Sequence, residues 1–118
     1  MNVHKEFRFD AAHTLPKTPD GHKCKSLHGH SYKIVVHVKG NVNEENGWVI
    51  DFSEIKKIFQ PILNILDHSF LNDIEGLENP TSENLAIWIW NKLLPHIPMI
   101  SKIEISESPT SGCVYEGD

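Results

Sequence analysis

Histidines are concentrated near the start of the chain. Of eight histidines in 118 residues, four lie between positions 13 and 30: His13, His22, His28 and His30. His28 and His30 are two residues apart, so on a β-strand both side chains leave the same face. Neutral imidazoles bind zinc well, and three protein ligands leave one coordination position for water or substrate. The pattern predicts a zinc site made by His13, His28 and His30.

Each histidine taken alone has a simpler interpretation, because the ring is often half-buried with ordinary hydrogen bonds. The metal interpretation requires that three rings share one face and one end of a sheet. His4, His37 and His96 show no such pattern, and we interpret them as surface residues. His22 lies in a polar loop, and its role stays open.

Cys24 lies in the same loop, between Lys23 and Lys25. Neighbouring cations favour the thiolate, which is the reactive form of cysteine. As a fourth zinc ligand Cys24 would close the site, but one thiolate with three imidazoles is an uncommon structural set. The residue types therefore favour a catalytic thiol, with ligation as the alternative. Cys113 is interpreted as a packed core residue.

Two further groups could transfer protons or bind a polar ligand. Asp67 and His68 adjoin the end of a predicted helix, where they form either an acid–base relay or a helix C-terminal histidine favoured by the dipole. Glu107 has the parity of Ile103 and Ile105, which directs its carboxylate toward the apolar face of a strand. A buried acid needs a partner, such as the amide-rich edge of a ligand. If the strand ends one residue earlier, Glu107 is a turn residue.

Period-two patterns predict the strands that position the histidines. Apolar and polar residues alternate from Val3 to His13 and again from His28 to Lys39, with the polar loop 14–27 between them. The two predicted strands pair antiparallel. His13 then ends one strand where His28 begins the next, so the three imidazoles converge at one end of the apolar face.

Two helices and two more strands follow. Asp51 begins a capping box before an amphipathic helix to Leu66, in which Pro61 predicts a kink or an early end. After a loop over 67–80, Thr81 caps a second helix that ends near Leu94. Strands are predicted around 103–105 and 113–115, the last after a turn at 110–112. The order ββααββ predicts an α+β fold, with two helices on one face of a four-stranded antiparallel sheet.

Composition narrows the classes of partner. The net charge is −5 and the basic residues are scattered, which argues against nucleic acid. The longest apolar stretch, 85–94, is interrupted and too short to span a bilayer, and no signal-peptide pattern is present. Two cysteines are too few for a disulfide framework. We expect one cytoplasmic domain without a membrane or nucleic-acid partner.

The chain resembles a known family in six segments that contain these residues: FDAAHTLP, HKCKSLHGHSYK, GWVIDFSEIK, LDHSFLND, NPTSENLAIWIW and ESPTSGCVYEG. Together they are similar to the 6-pyruvoyl-tetrahydropterin synthase superfamily over nearly the whole chain, so that 1–118 forms one such domain. The bacterial 6-carboxy-5,6,7,8-tetrahydropterin synthase branch is the most similar, because it too has three residues between the cysteine and the HxH pair. One departure is Ser108-Pro109, where the family usually has Thr after the glutamate.

The resemblance implies the tunnelling fold (T-fold), in which sheets of three subunits join into a barrel and two trimers stack into a homohexamer. Active sites then lie between subunits. A lone four-stranded sheet also leaves two edges exposed, which independently favours association. The roles implied for the residues are Zn²⁺ ligands for His13, His28 and His30, proton abstraction for Cys24, an acid–base relay for Asp67 with His68, and pterin anchoring for Glu107.

The reaction implied by the resemblance is that of a lyase in queuosine biosynthesis. It converts 7,8-dihydroneopterin triphosphate to 6-carboxy-5,6,7,8-tetrahydropterin and releases acetaldehyde and triphosphate. One rival is 6-pyruvoyl-tetrahydropterin synthase, which stops after triphosphate loss. Others are a non-catalytic zinc-binding module with Cys24 as ligand and a zinc hydrolase. Lys23, Lys25 and Arg8 are the candidates for contacting the triphosphate, and their spacing does not select among them.

Overall fold

The computed structural model describes all residues, 1–118. Its helices and strands are β1 (Asn2–His13), β2 (His28–Lys39), α1 (Phe52–Leu66), β3 (Ser69–Phe70), α2 (Ser82–Leu93), β4 (Ile100–Ser108) and β5 (Ser111–Tyr115). One-turn 3₁₀ helices lie at Lys23–Lys25 and Leu71–Asp73. The α+β class and the antiparallel pairing of β1 with β2 are confirmed.

The sheet has five strands rather than the predicted four, in the order β3-β1-β2-β4-β5. The additional strand, β3, runs parallel to β1, with Ser69 opposite Ala11, and the other pairs are antiparallel. A strand of two residues carries no alternation, so the sequence pattern could not predict it. β3 holds the segment after α1 beside the end of β1 that carries His13.

One sheet face and the two helices enclose the hydrophobic core. Inward residues of β1 such as Phe7 and Phe9 are buried, as are Ile103 and Ile105 of β4. Phe7 stacks on Phe59 of α1, with ring centroids 4.2 Å apart. A one-residue slip of any strand would turn these side chains to the opposite face, so burial determines the register. The same register determines where the histidines of β1 and β2 meet.

Side-chain caps define where the helices begin. The Asp51 carboxylate accepts from the Ser53 amide at 2.9 Å, and the Thr81 hydroxyl accepts from the Asn84 amide at 3.1 Å. α1 continues through Pro61, so the predicted early end is wrong. Proline has no N–H to donate to the carbonyl four residues earlier in the helix. Because Pro61 is exposed, that carbonyl lies on the solvent side of α1. Neither helix is both long enough and apolar enough to cross a membrane.

His37 is buried, which corrects its interpretation as a surface residue. It lies on the sheet face opposite the helices, where side chains from the two neighbouring strands, β1 and β4, contact its ring. Its Nε2 is 2.6 Å from Oε2 of Glu104, and Nδ2 of Asn2 is 2.9 Å from its Nδ1. The Ser101 hydroxyl donates to the Asn2 amide oxygen at 2.6 Å. Side chains of the neighbouring strands thus bury a histidine that the alternation along β2 assigns to the polar face.

Candidate metal centre and active site

The register between β1 and β2 brings the three histidines together. His13 pairs with His28 across the two strands, and His30 pairs with Ala11. The ring centroids are 4.5 Å apart for His13 and His28, and 5.0 Å apart for each pair that includes His30. His13 is buried, and the other two rings are half-buried. The predicted convergence of three imidazoles on one face is therefore present.

Backbone carbonyls select the tautomer of two of these rings. Nδ1 of His13 lies 2.9 Å from the Pro80 carbonyl, and Nδ1 of His28 lies 2.7 Å from the Ser26 carbonyl. A carbonyl oxygen can only accept, so each Nδ1 carries the proton and each neutral ring has a bare Nε2. These two Nε2 atoms are 2.9 Å apart. With no proton between them, the lone pairs of the two nitrogens repel each other, and a cation bound by both would remove this repulsion.

The third ring has the same need. Nε2 of His30 is buried and has no hydrogen-bond partner. The potential ligand atoms of His13, His28 and His30 all lie within 4.8 Å of one another. Zinc–nitrogen bonds of about 2.0–2.1 Å place tetrahedral ligand nitrogens roughly 3.4 Å apart, so small shifts would accommodate the ion. The donor set fits zinc.

The surroundings favour neutral imidazole, which is the form that binds a metal. Burial lowers the pKa of His13, and the nearby His28 and His30 lower it further. The Tyr32 hydroxyl lies beneath, 3.3 Å from Nδ1 of His13. Burial raises the pKa of Tyr32, with a smaller contribution from the charge of Glu107, so the phenol keeps its proton. Carbonyl and phenol together orient the buried ligand.

Glu107 lies beside the histidine cluster. β4 continues to Ser108, so Glu107 belongs to the strand, at a register irregularity opposite β5. Its Oε2 is 3.7 Å from Nε2 of His30, and its Oε1 accepts from the Ser82 hydroxyl at 2.6 Å. One carboxylate oxygen thus faces the candidate metal site, while the buried Ser82 holds the other.

A cleft of about 370 Å³ opens at Glu107. Its lining residues are Leu15, Thr81, Ser82, Glu83, Glu107, Ser111, Gly112 and Cys113. A Cβ at Gly112 would lie 2.4 Å from the Ile105 carbonyl oxygen, so only glycine fits this approach of β5 to β4. Cys113 is half-buried, and burial raises its pKa, as do the charges of Glu83 and Glu107. A polar cleft that contains the carboxylates of Glu83 and Glu107 suits a heterocycle that donates N–H groups.

Asp67 and His68 form a pair at the end of α1. Oδ2 of Asp67 is 3.1 Å from Nδ1 of His68, and Oδ1 accepts from the Asp10 amide at 3.0 Å. The Asp10 amide and then His68 lower the pKa of Asp67. His68 has a φ of 58°, the only positive φ outside glycine, and its amide donates to the Asp10 carbonyl at 2.7 Å. Its side chain is 79% exposed.

Cys24 lies in the 3₁₀ turn Lys23–Lys25 and is half-buried. Its carbonyl accepts from the amide of Leu15, which lines the Glu107 cleft. Its thiol is outside the group of three potential metal ligands. No hydrogen bond or ion pair joins Cys24 to Asp67 or His68 within the chain. The structure brings together the histidines and Glu107, and separately the Asp67–His68 pair.

Sequence reasoning missed the residues that hold these groups. Tyr32 was recognised only as apolar, and Ser82 and the Pro80 carbonyl were not recognised. The Pro80 carbonyl is 67 residues from His13, and Ser82 is 25 residues from Glu107. No local pattern signals such partners. The parity of Tyr32, which equals that of His28 and His30, was the one available signal.

Known proteins with similar sequences and structures were identified. Residues 2–118 match the family model described as 6-pyruvoyl tetrahydropterin synthase. The chain is 43% identical over 119 residues to 6-carboxy-5,6,7,8-tetrahydropterin synthase of Synechocystis sp., with 96% of this chain and 91% of the relative covered. It is 36% identical over 143 residues to the Haemophilus influenzae protein of the same name, with 98% and 99% covered. The structure of Caenorhabditis elegans 6-pyruvoyl tetrahydropterin synthase matches with a TM-score of 0.92 at 30% identity, covering 100% of this chain and 96% of that chain.

Proposed function

The chain belongs to the 6-pyruvoyl tetrahydropterin synthase family, and from this premise we propose that it is a zinc-dependent 6-carboxy-5,6,7,8-tetrahydropterin synthase of queuosine biosynthesis. Enzymes of this family are lyase-type pterin synthases with the tunnelling fold. The proposed reaction consumes one water, converts 7,8-dihydroneopterin triphosphate to the 6-carboxy product and releases acetaldehyde and triphosphate. The relatives from Synechocystis and Haemophilus influenzae carry the name of this activity.

The observation that carries the proposal is that three Nε2 atoms meet beside Glu107, those of His13 and His28 unprotonated and that of His30 buried without a hydrogen-bond partner. Zinc bound there would act as a Lewis acid toward oxygen atoms of the substrate side chain. His13, His28 and His30 would hold the ion through Nε2. The carboxylate of Glu107, oriented by Ser82, would accept hydrogen bonds from the amino-pyrimidine edge of the pterin and orient the ring.

Proton transfer is proposed for two groups. The Cys24 thiolate would abstract a proton from the substrate side chain, and His68 would donate or accept a proton near the pterin ring. Asp67 accepts from the His68 ring, which determines the tautomer of that imidazole. Lys25 is an unsuitable triphosphate ligand, because its ammonium already bonds to the Asp20 carboxylate at 2.6 Å. Lys23 has no such partner and is the proposed phosphate contact.

We also propose that the active site is shared between copies of the chain in a cytoplasmic homohexamer. Two observations support this assembly. His68 is largely exposed, and no hydrogen bond or ion pair joins the Asp67–His68 pair to Cys24 within the chain. A second copy that places its own pair near Cys24 would complete the set. The outer edges of β3 and β5 are also unpaired within the chain.

The nearest rival is a 6-pyruvoyl-tetrahydropterin synthase, the activity named for the Caenorhabditis elegans structure. Incubation with 7,8-dihydroneopterin triphosphate, mass analysis of the pterin product and an acetaldehyde assay distinguish the two activities. We expect a 6-carboxy product with stoichiometric acetaldehyde. A pyruvoyl product without acetaldehyde would replace the proposal with the rival.

The Cys24→Ala variant tests the rivals of other classes. We expect it to retain stoichiometric zinc and to lose turnover, because the thiol lies outside the ligand group. Loss of zinc together with unfolding would indicate a zinc-binding module with Cys24 as ligand. Retained turnover would indicate a hydrolase that uses metal-bound hydroxide.

A further inference from the structure

The imidazole of His22 is bonded to the backbone of Cys24. Nδ1 of His22 accepts from the Cys24 amide at 3.1 Å and caps the 3₁₀ turn Lys23–Lys25. The bond runs from residue i to the amide of residue i+2, as in an Asx turn. Nδ1 of histidine is attached to Cγ, as Oδ1 of asparagine is. His22 therefore makes the turn that asparagine would make, with a ring nitrogen as acceptor.

Both backbone polar groups of Cys24 are held. Its amide donates to the His22 ring, and its carbonyl accepts from the Leu15 amide at 2.9 Å. Leu15 follows His13 by two residues and lines the Glu107 cleft. The turn that carries the thiol is thus fixed to the end of β1 on one side and to His22 on the other.

The rest of the loop is tied mostly through its backbone. The amide of Lys25 donates to the His22 carbonyl at 3.0 Å, and the amide of His22 donates to the Pro19 carbonyl at 3.0 Å. The ammonium of Lys25 bonds to Asp20 and to the Thr18 carbonyl. None of these side chains bonds to Cys24. The His22 ring is the one side chain that does.

We infer that His22 is a positioning residue that orients the Cys24 thiol through this bond. The inference rests on the proposed catalytic role of Cys24 and deepens it. Without the acceptor, the Cys24 amide loses its partner and a turn of only three residues loses its cap. The thiol would then sample positions away from the substrate carbon. Proton abstraction in the transition state would then be slower, while zinc binding and pterin binding would be unchanged.

The test compares His22→Asn, His22→Gln and His22→Ala with the wild-type protein. In asparagine the acceptor atom is separated from Cα by the same number of covalent bonds as Nδ1 of histidine. Glutamine places the acceptor one bond further away, and alanine removes it. We expect kcat to fall roughly tenfold in the glutamine and alanine variants, since misplacement by about 1 Å can cost up to a hundredfold. The asparagine variant should recover most of kcat, and all three should keep wild-type KM and zinc content. His96→Ala, at an exposed histidine without a side-chain hydrogen bond, is the control.

A second readout does not depend on turnover. The rate of Cys24 alkylation by iodoacetamide, followed by peptide mass analysis, should rise about fivefold in the glutamine and alanine variants, the population change that a lost helix cap produces. The asparagine variant should alkylate at the wild-type rate. Equal kcat and equal alkylation rates in all His22 variants would overturn the inference and leave the proposed function intact. Full turnover by Cys24→Ala would instead overturn the role of the cysteine, whatever the His22 variants show.

Discussion

A histidine group lies at each end of strand β2, and the two groups differ in what their ring nitrogens contact. At the far end, both nitrogens of His37 have polar partners, Asn2 and Glu104. At the near end, the Nδ1 atoms of His13 and His28 donate to carbonyls, which leaves their Nε2 atoms bare and facing each other. A completely satisfied histidine supports the fold. Histidines with one free nitrogen each, aimed at a common point, form a ligand site.

The difference arises from the partners that the fold supplies, since the residue type is the same. β4 brings Glu104 to His37, so that ring has an acceptor for its Nε2 proton. The connection before α2 brings only the carbonyl of Pro80 to His13, on the side away from the other histidines. Burial alone therefore does not identify a metal ligand. The nitrogen left without a partner does.

The largest expected effect comes from removing a histidine at the near end of β2. His28→Ala and His30→Ala should each lose zinc and reduce turnover by more than about a hundredfold, beyond the range caused by outer-shell changes. His37→Ala should keep both zinc and turnover, because its ring faces away from the cluster. Metal analysis of the purified variants and steady-state rates measure this. Zinc loss in His37→Ala would break the distinction between the two ends.

Alternation along the chain was sufficient to predict the near end. The parity of His28 and His30 with Tyr32 indicated the shared face, and the order of two consecutive strands joined by the polar loop 14–27 indicated antiparallel pairing. His37 has the opposite parity and was predicted to be exposed. That parity was correct, but the face it points to is partly buried by cross-strand partners. Alternation specifies a face and does not specify what covers it.

Features determined by contacts between distant segments could not be predicted. β3 forms because Ser69 and Phe70 come beside β1 after α1, and two residues give no period. The direction of Glu107 was predicted from parity, but its partner Ser82 belongs to α2. Asp67 and His68 are adjacent in sequence, yet their bonds to Asp10 span 57 residues or more. Local patterns predicted the residues of the candidate site, and only the fold supplied the groups that orient them.

The second prediction concerns Tyr32, whose hydroxyl lies next to the buried candidate ligand His13. Tyr32→Phe removes the hydroxyl 3.3 Å from Nδ1 of His13 and keeps the aromatic ring stacked on Phe9. We expect zinc affinity to fall about tenfold, the lower range for loss of an outer-shell hydrogen bond. Competition with a chromogenic chelator measures it. Unchanged affinity would mean that the Pro80 carbonyl alone orients His13.

The third prediction addresses the far end of β2. Glu104→Ala leaves the His37 proton without its acceptor, and we expect the unfolding free energy to fall by about 1 kcal/mol, because the carboxylate is partly exposed and solvent weakens the pair. Glu104→Gln keeps an oxygen acceptor and should lose less. Urea unfolding of the metal-free proteins measures this, and zinc content should stay at the wild-type level in both variants. A loss of zinc would show that the two ends of the strand are coupled.

The smallest effect is expected at the most exposed histidine–carboxylate pair, Asp67 with His68. The Asp10 amide and the His68 ring lower the pKa of Asp67, so the folded protein binds fewer protons there than the unfolded chain does. The resulting stabilisation is present above the ordinary value of 3.8 and is lost as the pH falls through the lower pKa of the folded state. In metal-free protein, Asp67→Asn should therefore be less stable than wild type at pH 5, and the two should converge as the pH falls toward 3. Asp73→Asn, at an exposed acid without a side-chain hydrogen bond, should follow the wild-type curve. Parallel curves for wild type and Asp67→Asn would mean that solvent already cancels the contribution of this pair.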